Sequence, residues 1–432
     1  MRKKNRNRIK AKATSLTALL VSILIISALT GALFIGKVSA DYPYDWTMFR
    51  HDLTHSGYSE SPAPDTNQIL WNRTLGSFSY LTSSPAVAEG RMFFSAWTNI
   101  FYCLNASNGA LLWNYTMGSA PLDTSSPAVA DGKVYVGAYD HNVYCWDVVT
   151  GTLIWNYTTG DGVNSSPAVA DGKLYIGSSD HNVYCLDAET GEKIWNYTAG
   201  GEFSASSPAV ADSKVYIGCE DTNFYCLDAA TGALAWNYTM GGINCGMPAV
   251  ADDKVYIGAG SDYNFYCLDA ATGTKIWNYT VGGNANNIAI AYGNVYGSAN
   301  DSNFYCLDAT TGALVWNYTT GADEIRSPPA VADGKVYFNS NDHNVYCLDA
   351  ATGALIWSYK TTGGFMFYSG PAIANGVVYV TVGNTMGDVY AFSDLDAPIP
   401  EGLSLGVMLL LSTVATIVGT HILQKRPKWK RW

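Results

Sequence analysis

Residues 68–393 consist of short apolar segments that alternate with turns rich in glycine, aspartate and asparagine. In one period the segments cover 125–130, 133–137, 143–146 and 153–157, and the later three are rich in β-branched and aromatic side chains. That composition is typical of β-strands, whereas a helical repeat would show apolar positions three and four residues apart. The pattern therefore predicts four antiparallel strands in each period.

A recurring phrase, Cys-Leu-Asp-Ala-x-Thr-Gly-x-x-x-Trp, marks the period. Counting one tryptophan before the first full unit, its tryptophans are 39 to 42 residues apart, at Trp71, Trp113, Trp155, Trp195, Trp236, Trp277, Trp316 and Trp357. Four antiparallel strands in a unit of this length form one propeller blade.

The number of strands indicates how the ring closes. The patterns of the first and third strands each occur eight times, but the tryptophan strand follows only seven of them. The missing strand is found at 69–72, before the first unit. We therefore predict an all-β fold, a single eight-bladed β-propeller over 68–393, in which an N-terminal strand completes the last blade and leaves no exposed edge between the chain ends.

The phrase Asp-Ala-x-Thr-Gly-x-x-x-Trp resembles the tryptophan-docking motif of the pyrroloquinoline-quinone (PQQ) repeat family. The segment 46–52, Trp-Thr-Met-Phe-Arg-His-Asp, looks like the one that often precedes such propellers. The resemblance covers about 46–393 and implies that the eight tryptophans are structural, each packing against the neighbouring blade. A buried tryptophan also needs an acceptor for its N–H, which we expect to be a backbone carbonyl next door.

The two ends predict export and membrane anchoring. A basic start, an uncharged stretch over 13–36 and Val-Ser-Ala before residue 41 are typical of a signal segment covering 1–40, either cleaved or retained as an anchor. A lead-in (41–67) precedes the propeller, and a linker (394–402) follows it. The 21 residues of 403–423 reach roughly 30 Å as a helix, enough to cross a bilayer. The basic tail, 424–432, indicates that the propeller lies outside the cell.

The linker and tail leave a second kind of anchoring open. Pro-Ile-Pro-Glu at 398–401, the apolar span and the basic tail together resemble the three-part tails that archaeal sorting enzymes recognise, although Gly402 stands where that pattern usually has an aromatic residue. We expect a retained single-pass helix at a cell surface.

The charge of the exterior part disfavours one class of partner. Residues 41–400 carry 12 basic and 35 acidic residues, and such a surplus of negative charge disfavours nucleic-acid binding.

Seven cysteines share one repeat position: Cys103, Cys145, Cys185, Cys226, Cys267, Cys306 and Cys347. Equivalent positions on adjacent blades should lie on the order of 10 Å apart, too far for a disulfide, so we expect buried thiols. Cys219 and Cys245 break the pattern and should lie on one face. They either stay free or form one inter-blade disulfide in an oxidising exterior.

Two other repeated motifs have both a structural and a chemical interpretation. Asparagine acceptor triplets begin at Asn72, Asn114, Asn156, Asn196, Asn237, Asn278 and Asn317, with further matches at Asn105, Asn164 and Asn300. They carry glycans or were duplicated with the blade for packing. Asp-x-Asn recurs from Asp140 to Asp342. It suits a tight hairpin turn better than calcium, which needs six or more oxygens.

A unique site must come from positions that differ between blades. The connections between blades vary most, and we expect them to share the channel mouth with the Asp-x-Asn turns. The candidate ligand residues there are Asn164, Glu202, Asn286, Arg326 and Tyr368. Arg326 is a candidate anchor for an anion or carboxylate.

Two functions remain open. The first is a non-catalytic binding or scaffold propeller, similar in architecture to the PQQ-repeat lipoprotein of the outer-membrane assembly machine, with a protein or glycan partner and no cofactor. The second is a quinoprotein dehydrogenase that uses PQQ and calcium. Such enzymes carry long inter-blade insertions and, in many cases, a vicinal cysteine pair. Uniform spacing and the absence of Cys-Cys from this sequence favour the scaffold.

Overall fold

The computed structural model describes residues 42–76, 80–81, 83–118, 125–203, 206–242, 246–321, 324–362, 369–383 and 386–394. The predicted signal segment, membrane span and basic tail lie outside this part of the chain, as does the linker after Asp394. Among the described residues, no helix has the length and apolar character needed to cross a membrane.

Eight sheets form the fold, and each full blade contributes four strands in antiparallel order. Blade 1 contains β3 (Ala86–Ala88), β4 (Arg91–Ala96), β5 (Ile100–Asn105) and β6 (Leu111–Thr116). Blade 2 contains β7 (Ala128–Ala130), β8 (Lys133–Gly137), β9 (Asn142–Asp147) and β10 (Leu153–Thr158). Blade 3 contains β11 (Ala168–Ala170), β12 (Lys173–Gly177), β13 (Asn182–Asp187) and β14 (Lys193–Thr198). Blade 4 contains β15 (Ala209–Ala211), β16 (Lys214–Gly218), β17 (Asn223–Asp228) and β18 (Leu234–Thr239).

The remaining blades repeat this order with small changes. Blade 5 contains β19 (Ala249–Ala251), β20 (Lys254–Gly258), β21 (Asn264–Asp269) and β22 (Lys275–Thr280). Blade 6 contains β23 (Ala285–Ala291), β24 (Asn294–Ala299), β25 (Asn303–Asp308) and β26 (Leu314–Thr319). Blade 7 contains β27 (Ala330–Ala332), β28 (Lys335–Asn339), β29 (Asn344–Asp349) and β30 (Leu355–Lys360), and β1 (Tyr58–Ser59) joins it parallel to β27. Blade 8 contains β31 (Ala372–Ala374), β32 (Val377–Val382) and β33 (Asp388–Phe392).

An N-terminal strand closes the ring as predicted. β2 (Ile69–Thr74) pairs antiparallel with β33, with Trp71 opposite Ala391, and so supplies the fourth strand of blade 8. The innermost strands contact one another around the whole circle, including β31 with β3. The eight-bladed, four-stranded architecture predicted from the repeat is therefore confirmed.

Each predicted docking tryptophan donates its indole N–H to a backbone carbonyl, which belongs to the neighbouring blade in seven cases and to the lead-in for Trp357. Trp155 Nε1 lies 3.2 Å from the Ala188 oxygen, and Trp71 Nε1 lies 2.8 Å from the Ala106 oxygen. The acceptors for the others are carbonyls of Val148, Ala229, Ala270, Ala309, Ala350 and Pro64.

A tyrosine shares the acceptor in seven of the eight interfaces. Tyr135, on the second strand of blade 2, donates its hydroxyl to the same Ala188 oxygen at 3.1 Å. Equivalent bonds come from Tyr175, Tyr216, Tyr256, Tyr296, Tyr337 and Tyr379. Blade 1 differs because Phe93 occupies this position.

Candidate functional site

The Asp-x-Asn segments form tight turns between the second and third strands. In blade 2, Asp140 Oδ1 accepts the backbone N–H of Asn142 at 3.2 Å. The residue in the left-handed conformation is the middle one, His141, with φ 71°. The tight turn expected from the motif is therefore present, with its left-handed residue between the aspartate and the asparagine.

The second oxygen of each aspartate binds the preceding blade. Asp140 Oδ2 accepts the N–H of Gly118 at 2.7 Å and the hydroxyl of Tyr144 at 2.7 Å. The same pair of bonds recurs at Asp180, Asp221, Asp262, Asp301 and Asp342. These carboxylates therefore hold blades together at the end of the ring where the connections lie. Among the described residues, no group of three or more His, Cys, Asp or Glu side chains is placed to hold a metal ion.

The candidate mouth residues are spread over several connections. Asn164 and Glu202 lie on those before blades 3 and 4, whereas Asn286 and Arg326 lie at blades 6 and 7. Tyr368 lies outside the described residues. Asn286 Nδ2 donates to Asn300 Oδ1 at 2.7 Å and to the Ile325 carbonyl at 2.9 Å, so its segment meets the one that carries Arg326.

Arg326 already has a carboxylate beside it. Its Nη2 lies 3.0 Å from Glu324 Oε1, and both side chains are partly exposed. The neighbouring Asn287 Nδ2 donates to the Arg326 carbonyl at 2.9 Å. An anionic ligand at Arg326 would therefore compete with Glu324 for the guanidinium.

The centre of the ring is occupied by the lead-in. One residue of each of six innermost strands donates its backbone N–H to a carbonyl between Trp46 and Gly57, at 2.6 to 2.8 Å. The donors are Val87, Val129, Val210, Val250, Ile290 and Val331. The chain thus fills its own channel at the depth of the innermost strands, a feature that the repeat pattern did not predict.

Arg50 is a buried cation in this centre. It is 1% exposed, and Nη1 donates to the Met247 and Pro248 carbonyls at 3.1 Å each, while Nη2 donates to that of Ile288. His55, fully buried, places Nδ1 3.3 Å from the same Pro248 oxygen, where only a protonated Nδ1 can donate. Carbonyl groups of blades 5 and 6 therefore bind the lead-in.

Burial shapes the protonation of this cluster. It lowers the pKa of Arg50 to about 9, partly offset by Asp52. It lowers the pKa of His55 to about 3, with the positive charge of Arg50 adding to the effect. Burial alone would raise the pKa of Asp52, but hydrogen bonds from His51 and Ser56 outweigh it and lower that pKa. At neutral pH the centre holds a cationic Arg50, a neutral His55 and an ionised Asp52.

The repeated cysteines are buried, with free thiols. Burial raises the pKa of Cys145 to about 12, so its thiol stays protonated at neutral pH. Cys219 is also buried, but Cys245 lies outside the described residues, so the disulfide between them stays a prediction.

Comparison with known proteins places this geometry in context. The family model described as outer membrane protein assembly factor BamB matches residues 61–128, 120–318 and 300–397. No curated protein sequence matches the chain.

Solved structures share the fold at low sequence identity. BamB from Moraxella catarrhalis is 18% identical, with a TM-score of 0.62, over 75% of this chain and 98% of that one. The quinohemoprotein alcohol dehydrogenase ADHIIG from Pseudomonas putida HK5 is 16% identical, with a TM-score of 0.71, over 84% and 83%. The quinohemoprotein alcohol dehydrogenase from Comamonas testosteroni is also 16% identical, with a TM-score of 0.72, over 84% and 82%. Likeness at this identity concerns the fold alone.

Proposed function

The chain belongs to the family described as outer membrane protein assembly factor BamB, a family of PQQ-like propellers, and we propose that it acts as a non-catalytic binding scaffold on the outer face of a cell membrane. The observation that carries the proposal is the filled channel. Because lead-in carbonyls bind six innermost strands and Arg50 binds two blades from within, a partner would meet the outer faces of the ring.

The proposed partner surface is the end that carries the inter-blade connections. Its loops differ from blade to blade, so it can present a unique surface, whereas the repeated positions make the same contacts in every blade. The exterior part carries 12 basic and 35 acidic residues, which favours a neutral or basic protein, or a glycan, over a nucleic acid.

The proposed anchor is the apolar segment 403–423. Its length suits one hydrocarbon thickness, and the basic tail after it suits the cytoplasmic side. With the short linker 394–402, such an anchor would hold the propeller close to the membrane, so that a partner in the same membrane is within reach.

The second candidate is a PQQ- and calcium-dependent dehydrogenase, favoured by the fold likeness to the two alcohol dehydrogenases. The described residues do not fit that cofactor pair. Calcium needs six or more oxygen ligands, but the aspartates at the mouth are bound to backbone N–H groups and tyrosine hydroxyls. Arg50, the buried cation of the channel, is bound to three carbonyls. We therefore assign no reaction step to the protein.

Capture of partners from the native membrane tests the scaffold. The wild-type chain and an Arg326→Ala variant at the mouth would be compared with Lys214→Ala, which lies at the opposite end of blade 4. We expect Arg326→Ala to reduce capture of the major partner at least about fivefold, the loss that corresponds to roughly 1 kcal/mol, and Lys214→Ala to leave it unchanged. Equal capture by all three proteins would place the partner surface elsewhere.

A cofactor assay tests the alternative function. The purified chain, incubated with PQQ and calcium, should show neither cofactor absorbance nor dye-linked oxidation of alcohols or sugars. Turnover well above that of a heat-killed control would make the dehydrogenase the better assignment.

A further inference from the structure

The outermost strand of seven blades presents the same acceptor triplet to solvent. Its asparagine and threonine are both exposed, with the residue between them partly covered, at Asn72, Asn114, Asn156, Asn196, Asn237, Asn278 and Asn317. We propose that these seven asparagines carry N-linked glycans in the mature protein and that the acceptor matches at Asn105, Asn164 and Asn300 do not. The inference rests on the exterior location in the proposed function.

A packing role for the triplet is the competing explanation. In blades 2 to 6 an asparagine on the third strand accepts from the triplet's threonine, as Asn142 Oδ1 does from Thr158 Oγ1 at 2.7 Å. If this bond were the reason for the triplet, the triplet and the third-strand asparagine would occur together.

They do not occur together in blades 1 and 7. Blade 1 has Ile100 at the third-strand position, which cannot accept a hydrogen bond from its side chain, and still keeps Asn114-Tyr-Thr. Blade 7 keeps the third-strand Asn344, but opposite it the triplet has become Ser358-Tyr-Lys360. Blade 1 therefore has the triplet without the third-strand asparagine, and blade 7 has the third-strand asparagine without the triplet.

The three other matches are less exposed, and their residues take part in contacts between blades or in a turn. Asn105, Asn164 and Asn300 are only partly exposed. In the first, the middle residue Ala106 is 5% exposed, and its carbonyl is the acceptor for Trp71. In the second, the hydroxyl residue Ser166 is 2% exposed, and its Oγ accepts the N–H of Ser126.

Asn300, the third, lies in a turn instead of a strand. Its Oδ1 accepts from Asn286 Nδ2, and Ser302, two residues later, has φ 69°. The structure thus sorts the ten matches into seven Asn-x-Thr triplets on extended, exposed edges and three Asn-x-Ser triplets inside inter-blade contacts or turns.

The modification transfers a saccharide from a lipid phosphate to the asparagine side chain. The co-reactant is a saccharide joined through a phosphate to a membrane lipid. Asn Nδ2 forms a bond to C1 of the sugar and loses one proton, while the bond from C1 to the phosphate oxygen breaks and the lipid phosphate leaves. The asparagine keeps one N–H, which can still donate to a third-strand asparagine.

Glycans at these positions would cover edges that are otherwise bare. The outermost strand of a blade has unpaired backbone groups, a template for pairing with another chain. Several edges also expose apolar side chains, such as Leu111 and Leu112 in blade 1, 40% and 46% exposed. Hydrated saccharides beside them would keep neighbouring propellers apart.

Peptide mass mapping of the full chain from its native membrane tests the proposal. We expect a glycan mass on peptides containing the seven edge asparagines and the unmodified mass at Asn105, Asn164 and Asn300. Unmodified peptides at all seven edge sites, or modification of the three partly exposed matches, would overturn it.

Variants with a matched control sharpen the test. Thr158→Val should remove one glycan mass, and Thr158→Ser should keep it, because only the hydroxyl defines the acceptor. Ser358→Asn combined with Lys360→Thr should add one glycan to blade 7, and failure to gain it would contradict the rule that edge exposure decides. Protease treatment of intact cells separates the two proposals. A propeller that is digested but carries no glycan would contradict the glycosylation alone. A propeller that is protected from the protease would contradict the exterior location as well.

Discussion

Replacing Trp113 or Trp155 by phenylalanine should destabilise the propeller by different amounts, although both residues occupy the same repeat position. Each substitution removes an indole N–H and the same number of ring atoms. The two acceptors differ, because the Ala188 carbonyl also receives the Tyr135 hydroxyl at 3.1 Å. The Val148 carbonyl, whose residue is 2% exposed, has Phe93 where other blades have this tyrosine.

The size of each destabilisation depends on how many hydrogen bonds the acceptor carbonyl keeps after the substitution. In blade 2, Trp155→Phe loses one of two hydrogen bonds, a net cost of about 1 kcal/mol beyond the lost packing. In blade 1, Trp113→Phe leaves a buried carbonyl that has no other donor among the described residues, and an unsatisfied group costs about 1 to 3 kcal/mol more. We therefore expect the blade 1 variant to be less stable by that difference.

Urea unfolding followed by circular dichroism would measure both variants. A second substitution, Phe93→Tyr, serves as the internal control, because Phe93 already has the required position. Its ring lies 5.9 Å from Trp113 at 50°, and the ring of Tyr135 lies 5.9 Å from Trp155 at 46°. Phe93→Tyr should recover most of the loss in the Trp113→Phe background. Equal destabilisation of the two single variants, with no recovery, would refute the shared-acceptor argument.

Three further outcomes are expected. Deleting residues 41–76 should sharply lower the melting temperature, since it removes both β2 and the segment that fills the ring, and a truncated chain as stable as the parent would contradict the closure. His55 has a pKa of about 3 in the folded protein, below its unfolded value of about 6.5, so the free energy of unfolding should fall as the pH drops from 6.5 towards 3. In urea titrations, His55→Gln should lose less stability between pH 7 and 4 than the wild-type chain does. Gly151→Ala should destabilise the protein by more than Gly132→Ala, because a Cβ at Gly151 would lie 2.5 Å from Trp113 Cδ2, whereas Gly132 has a similar φ and open space. Similar melting temperatures of the two variants would contradict a role for Gly151 in tryptophan docking.

Much of the fold could be predicted because the same local signals recur in every blade. The spacing of Trp113, Trp155 and their equivalents gave the blade number, and the early Trp71 gave the closure. The turn motif was identified correctly from sequence, and the coordinates add that its middle residue, His141, takes the left-handed conformation.

The candidate site was less predictable because it depends on non-repeated residues. Arg326 was selected as a rare cation, and the nearby Glu324, two residues earlier, was available as a partner from sequence alone. Arg50 was overlooked as a central residue because nothing local indicates that it meets carbonyls almost 200 residues away. Its surroundings carried a weak signal: Trp46, Met48 and Phe49 form an apolar group too dense for an exposed leader.

The lead-in explains two departures from the repeat that are otherwise unconnected. Blade 8 has no equivalent of the turn that supplies the acceptor alanine, yet Trp357 and Tyr337 still find one, because Pro64 of the lead-in places its carbonyl 3.3 Å and 3.0 Å from them. In blade 5, Met247 replaces the serine whose hydroxyl bridges earlier blades, and Arg50 binds the carbonyl of that same residue. A ring of near-identical units thus binds a single non-repeating segment along its equivalent innermost strands and also at two places where its own repeat is broken. Repeat-breaking positions in such a sequence therefore indicate the path of a central segment as well as the location of a ligand site.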